Sequence, residues 1–207
     1  MGRDKALLNL DGRPLAALAV EKLQALGLAT RICGARAEVA PELTQFTEVI
    51  PDNFTGCGPV AGIETGLAAS DADLSLFLAV DVPLVPTEFL RWMMERAETS
   101  GAVATIPLAG GREQPLSAVY SRRLRDGLRV AIAAGHLKMM TAVTEAAAAL
   151  NERVDLFQVE SVAAALRPGV WSAESNVKGV ALRDWFLNAN TPEEWARVKA
   201  CEARLHR

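Results

Sequence analysis

Leu74-Ser75-Leu76-Phe77-Leu78-Ala79-Val80-Asp81-Val82-Pro83-Leu84-Val85-Pro86 decides how this chain folds. Up to Val80 the run is apolar except for one serine. It is short enough for a strand, and it lacks the alternation of a strand with one wet face. It belongs in a parallel sheet covered on both faces. Asp81 ends the run, and two prolines then fix the turn. In open α/β sheets, ligands bind beyond the carboxyl ends of strands. Asp81 stands at such an end. It is either a ligand for Mg²⁺ against phosphate oxygens or a solvated loop carboxylate.

The same pattern recurs upstream. Glu48-Val49-Ile50 is a strand that ends at Pro51-Asp52. Gly56-Cys57-Gly58 then forms a loop, and Pro59 starts a helix over 59–70. Gly62 and Gly66 share one face of that helix, which suits a close ligand or close packing on the sheet. Two strand-end aspartates beside a glycine-rich loop suggest a nucleotide pocket, with Asp52 near ribose or base and Asp81 near metal. Further upstream, Pro14 opens a helix that Gly27 closes, and Thr30–Ala35 is a strand. Downstream come a helix over 87–98, strands at Ala102–Pro107 and Leu116–Tyr120, helices over 121–134 and 141–150, and a strand at Val154–Val159. Strand and helix alternate, so the class is α/β with right-handed crossovers. Gly110-Gly111-Arg112 reads as a turn between two strands, and His136-Leu137-Lys138 as a solvated helix end. Residues 160–184 read as a long loop over the site. Thr191-Pro192-Glu193-Glu194 has the residues of a capped helix start, and that helix runs to about Leu205.

Composition narrows the functional classes. The 207 residues are half hydrophobic and 23% charged, which fits one domain with a full core. A net charge of −3 gives no reason to expect a nucleic-acid partner. Cys33, Cys57 and Cys201 are widely spaced and make no CxxC pair, so a structural zinc site is not expected. Isolated cysteines suit a reducing compartment. No apolar run is long enough to span a bilayer, and no signal-peptide stretch is present. The expectation is a cytoplasmic protein without a membrane partner. The opening Met1-Gly2-Arg3-Asp4-Lys5-Ala6-Leu7-Leu8 clusters a glycine with two cations. It suits a polyphosphate, or is a basic, exposed terminus.

Taken in order, five stretches resemble the molybdenum cofactor guanylyltransferases. They are Met1–Leu8; Asp52 with Gly58-Pro59-Val60-Ala61-Gly62 and Gly66-Leu67; Val80–Pro86; Gln114-Pro115-Leu116 with Val119-Tyr120; and Phe186-Leu187-Asn188-Ala189-Asn190-Thr191-Pro192-Glu193-Glu194. The resemblance implies a Rossmann-like, doubly wound, mostly parallel sheet with helices on both faces. It implies transfer of GMP from GTP to molybdopterin or the molybdenum cofactor, with Mg²⁺ as cofactor and release of pyrophosphate. Lys5 would neutralise the triphosphate with help from Arg3, and Asp81 would hold Mg²⁺. Asp52 would contact the guanosine, and Asn188 and Asn190 would lie near the pterin. Molybdoenzymes or other cofactor-delivery proteins are the implied downstream partners.

Two departures from the family pattern stand out. In the family, a buried strand and a Leu-Ala-Gly-Gly type loop precede the segment that begins here at Met1. The chain is therefore read as a single nucleotidyltransferase domain over 1–207, truncated at its N-terminus by a misplaced start. Cys33-Gly34 also occupies a strand end where relatives often carry asparagine. Two alternatives stay open: cytidylyl or other nucleotidyl transfer to a phosphate acceptor, and a non-catalytic nucleotide-binding module if the short N-terminus is genuine.

Overall fold

Asp11-Gly12 turns the chain back on itself at once. In the computed structural model, which describes residues 4–165 and 180–205, β1 (Asn9–Leu10) and β2 (Arg13–Pro14) pair antiparallel across that turn. Pro14, whose fixed φ suits a helix start, leads into α1 (Leu15–Gln24). β3 (Arg31–Cys33), α2 (Ala40–Leu43) and β4 (Glu48–Ile50) form a unit in which the two strands pair parallel. α3 (Pro59–Ala69), β5 (Leu74–Leu76) and α4 (Thr87–Ser100) follow. β6 (Ala104–Ala109) and β7 (Arg112–Glu113) are a hairpin, turned by Gly110-Gly111 at φ 54° and 73°. Positive φ at both central residues is the hairpin geometry that glycine adopts without strain. β8 (Val119–Ser121), α5 (Arg125–Ala133), α6 (Met139–Ala149), β9 (Val154–Gln158), α7 (Val159–Ala165) and α8 (Pro192–Leu205) complete the strands and α-helices among the described residues.

In the larger sheet, β8 lies between β5 and β6, antiparallel to both, and β9 pairs parallel with β6. β5, β6 and β9 thus run one way, against β8 and the short hairpin arm β7. The fold is α/β, and the main strands are mostly parallel in direction. Alternation along β8 shows that both faces are covered. Val119 packs with Phe89, Met93 and Phe157, in the core that α4 and α8 close. Tyr120 packs with Leu67, Leu128 and Val143, under α3, α5 and α6.

Two expectations need correction. The run LSLFLAV is strand only over Leu74–Leu76, and all seven residues stay half-buried. β5 pairs with β8 on one side, while residues 74–80 line a cleft on the other. One ladder, rather than two, supports the run. The loop expected over 160–184 also begins as helix: α7 runs to Ala165, and Glu160 accepts the Gly110 N–H at 2.8 Å. Residues 166–179 of that stretch lie outside the described residues.

α5 and α6 cross with almost no room between them. A Cβ on Gly127 would sit 2.5 Å from Ala146 Cβ and 2.8 Å from its Cα. Ala146 is buried backbone and methyl, so nothing flexible can yield. Gly127→Ala is expected to lower stability by about 1–3 kcal/mol despite alanine's better helix propensity. A urea midpoint equal to wild type would show that the helices can part freely.

Candidate active site

The site begins with a cap. Asp4 accepts the Ala6 N–H at 3.0 Å and so starts the short 3₁₀ turn Lys5–Leu7. The other Asp4 oxygen takes Arg36 Nε at 3.0 Å. Lys5 projects from this turn with its Nζ 3.4 Å from Asp81 Oδ2, and it also donates to Asn190 Oδ1. Three segments far apart in sequence meet here. The backbone reinforces the junction, since the Ala189 N–H donates to the Asp81 carbonyl at 2.9 Å. The helix cap expected from sequence holds the third segment in place. Glu194 Oε2 accepts the N–H groups of Asn190 and Thr191, and Thr191 Oγ1 accepts the Glu194 N–H, all at 3.1 Å. Asn188 stands half-buried two residues ahead of Asn190. Arg3 lies outside the described residues.

Asp52 lies at the end of the β3–β4 unit. Its Oδ1 accepts the Gly34 N–H at 2.9 Å. Desolvation raises the Asp52 pKa, and this bond pulls it partly back. Burial, together with neighbouring Asp52, pushes the Cys33 thiol up to about 11, so it is not a thiolate nucleophile at neutral pH. Gly58 adopts φ 64° and ψ −154°, a region essentially reserved for glycine, immediately before Pro59 begins α3. Asp4, Lys5, Asp52, Gly58, Gly62 and Asp81 all line one cleft of about 940 Å³. The cleft therefore joins the cationic corner at Lys5 to the Asp52 carboxylate. That geometry suits a ligand with a polyanion at one end and hydrogen-bonding edges at the other.

Asp81 is the carboxylate available to a divalent cation in this corner. Among the described residues, no group of three or more His, Cys, Asp or Glu side chains converges on one point. The donor set is a single carboxylate beside space for phosphates. It fits a cation like Mg²⁺, which uses one or two carboxylates and takes its other ligands from phosphate and water. It does not fit a cage built wholly of protein.

Three side chains at or behind this site escaped the sequence reading. Arg36 is exposed beside Asp4, on the cleft wall. Glu64 is fully buried on α3. Lys22, on α1, donates to the carbonyls of Pro83 and of Val85, the latter at 2.8 Å, and so clamps the turn that follows Asp81. A lysine four residues from buried Leu18, on the same helix face, was the available signal.

Burial lowers the Lys22 pKa from 10.5 to about 8, against the opposing pull of Glu202 and Glu88. Between those values the unfolded chain still holds a proton that the folded chain has released. The stability of wild type relative to Lys22→Met should therefore rise with pH across that window and stay level below it. Paired urea titrations from pH 7 to 10.5 check this, and a flat difference would contradict it.

Residues 1–152 match the MobA-like NTP transferase domain family. The chain is 29% identical to a probable molybdenum cofactor guanylyltransferase of Thermococcus kodakarensis, over 98% of this chain and 90% of that protein. It is 31% identical to the molybdenum cofactor guanylyltransferase of Shewanella halifaxensis, over 67% of this chain and 69% of that one. The crystal structure of molybdopterin-guanine dinucleotide biosynthesis protein A from Archaeoglobus fulgidus superposes with a TM-score of 0.74. It is 25% identical, and the match covers 96% of this chain and 90% of that one.

Proposed function

The chain belongs to the family of MobA-like NTP transferase domains, and on that premise we propose that it transfers GMP from GTP to molybdopterin. The product is the guanine dinucleotide form of the molybdenum cofactor, and pyrophosphate leaves. The carrying observation is the junction of Lys5, Asp81 and Asn190 at one end of a cleft that also takes in Asp52.

In this reading a phosphate oxygen of molybdopterin attacks the α-phosphorus of GTP. The bond from that phosphorus to the bridging oxygen of the β-phosphate breaks. Lys5 neutralises charge on the triphosphate, with Arg3 and Arg36 close enough in sequence or space to share it. Asp52 accepts hydrogen bonds from the guanosine, and Asn188 and Asn190 border the pterin. Asp81 would hold the divalent cation, Mg²⁺, whose bound charge supports departure of pyrophosphate. The protein's own work is placement and charge neutralisation rather than covalent catalysis. No described helix is long and apolar enough to cross a membrane. Cys33 and Cys57 are thiols, which suits a cytoplasmic enzyme. Nucleotide choice is tested by competition among GTP, CTP and ATP in a pyrophosphate-release assay. Preference for CTP would replace the guanylyl reading with a cytidylyl one.

We propose further that the domain is completed by one more strand ahead of Met1. Among the described residues, β3 pairs only with β4, and β5 only with β8. Residues 30–34 and 74–80 both border the same cleft, with α1 and α3 residues completing its walls. A strand bonded to both edges would join the two sheets, give LSLFLAV its second ladder and fill the apolar part of the cleft beside Ala16, Val20 and Leu76, leaving the polar end at Lys5, Asp52, Gly58 and Asp81 to the ligand. Extending the chain upstream in frame is expected to raise Tm and pyrophosphate release together. An extension that changes neither would contradict this.

A further inference from the structure

We propose that Glu64 is a positioning residue for nucleoside recognition, acting on Asp52 through the adjoining loop; this rests on the reading of Asp52 as the guanosine contact. A carboxylate is costly to bury unless it is paired and hydrogen-bonded, so a fully buried one needs a reason. Glu64 sits in Val60-Ala61-Gly62-Ile63-Glu64-Thr65-Gly66-Leu67, a helix segment with no other charge. Its Oε2 accepts from Asn53 Nδ2 at 2.8 Å. Its Oε1 faces Arg125 Nε at 3.4 Å and Arg129 Nη1 at 3.5 Å, both from α5.

Neighbouring contacts hold the same short stretch of chain. Thr65 Oγ1 accepts the Asn53 N–H at 2.9 Å. The Arg129 guanidinium lies 5.4 Å from the Phe54 ring centroid. Residues 53 and 54, immediately after Asp52, are thus gripped from α3 and α5. On its other side Asp52 is tied to Gly34. With both flanks held, the carboxylate keeps one direction into the cleft. Glu64 touches neither the cleft surface nor Lys5, so it leaves the phosphate corner alone. It shapes the nucleoside end only.

The test separates these two ends by measuring equilibrium affinities for GTP and for inorganic pyrophosphate. Glu64→Gln keeps the shape and removes the charge that orders the arginines. Asn53→Ala removes the link from the exposed side and leaves the core intact. Each variant is expected to weaken GTP binding about tenfold, roughly the worth of one well-placed hydrogen bond, while pyrophosphate affinity stays within about twofold. Equal losses for both ligands would mark a purely structural role, and unchanged GTP affinity would remove any role; either overturns the proposal. Asp52→Asn is measured alongside. If it weakens GTP binding and the Glu64 and Asn53 variants do not, positioning fails while the Asp52 reading stands. If it has no effect, the Asp52 reading itself fails and the positioning role falls with it.

Discussion

Replacing Asp81 with alanine is expected to cut pyrophosphate release by about a hundred- to a thousandfold, the usual cost of losing one preorganised electrostatic group. Fold stability should change little. The Asp81 side chain is 22% exposed and its ion pair with Lys5 spans 3.4 Å, a partly solvated contact of the kind worth about 0–1 kcal/mol. The backbone tie that places the segment, Ala189 N–H to Asp81 carbonyl, does not involve the side chain and survives the substitution. Urea unfolding and turnover measured together check both halves. Residual activity of Asp81→Ala should also lose its response to added Mg²⁺. Full activity with an unchanged Mg²⁺ response would remove Asp81 from the metal role.

Lys5→Ala should have an effect of similar size with a different signature. Lys5 is 43% exposed and is held by acceptors rather than by packing, so its loss leaves the core untouched. It is the cation at the junction of three segments, and its loss should weaken pyrophosphate binding as well as turnover. The Mg²⁺ response should remain. Lys5→Arg keeps the charge but not the point geometry, so it should recover only part of the loss. The Asp81 and Lys5 effects should combine to less than their product, because the two groups act on the same phosphates. Turnover and pyrophosphate affinity of the single and double variants decide this. Unchanged pyrophosphate affinity in Lys5→Ala would take Lys5 out of the phosphate site.

Much of this architecture was legible in sequence because local chemistry and tertiary role agreed. Glu48–Ile50 is a strand as read, and Gly110-Gly111 turns the hairpin that its two glycines announce. Thr191 and Glu194 form the reciprocal cap that their spacing implies. Asp52 and Asp81 follow apolar runs, and both border the cleft. Other features depend on contacts that no local pattern encodes. The direction of β8 is one, since an apolar run reads the same either way along the sheet. The shortened strand at 74–76 is another, because a second edge partner cannot be inferred from the run itself. Helix α7 was missed because Val159–Ala165 follows β9 directly, without a turn. Glu64 and Lys22 each sit alone on an otherwise apolar helix face. Among the partners that explain them, Arg125 for Glu64 and Pro83 for Lys22 each lie 61 residues away in sequence.

The most direct measurement incubates the chain with GTP, Mg²⁺ and molybdopterin, and follows pyrophosphate release and the dinucleotide product together by mass spectrometry. The expected result is pyrophosphate equal in amount to a guanine dinucleotide, formed only when molybdopterin is present and lost in Asp81→Ala. Release of pyrophosphate with no guanine dinucleotide, or a larger yield from CTP than from GTP, would contradict guanylyl transfer.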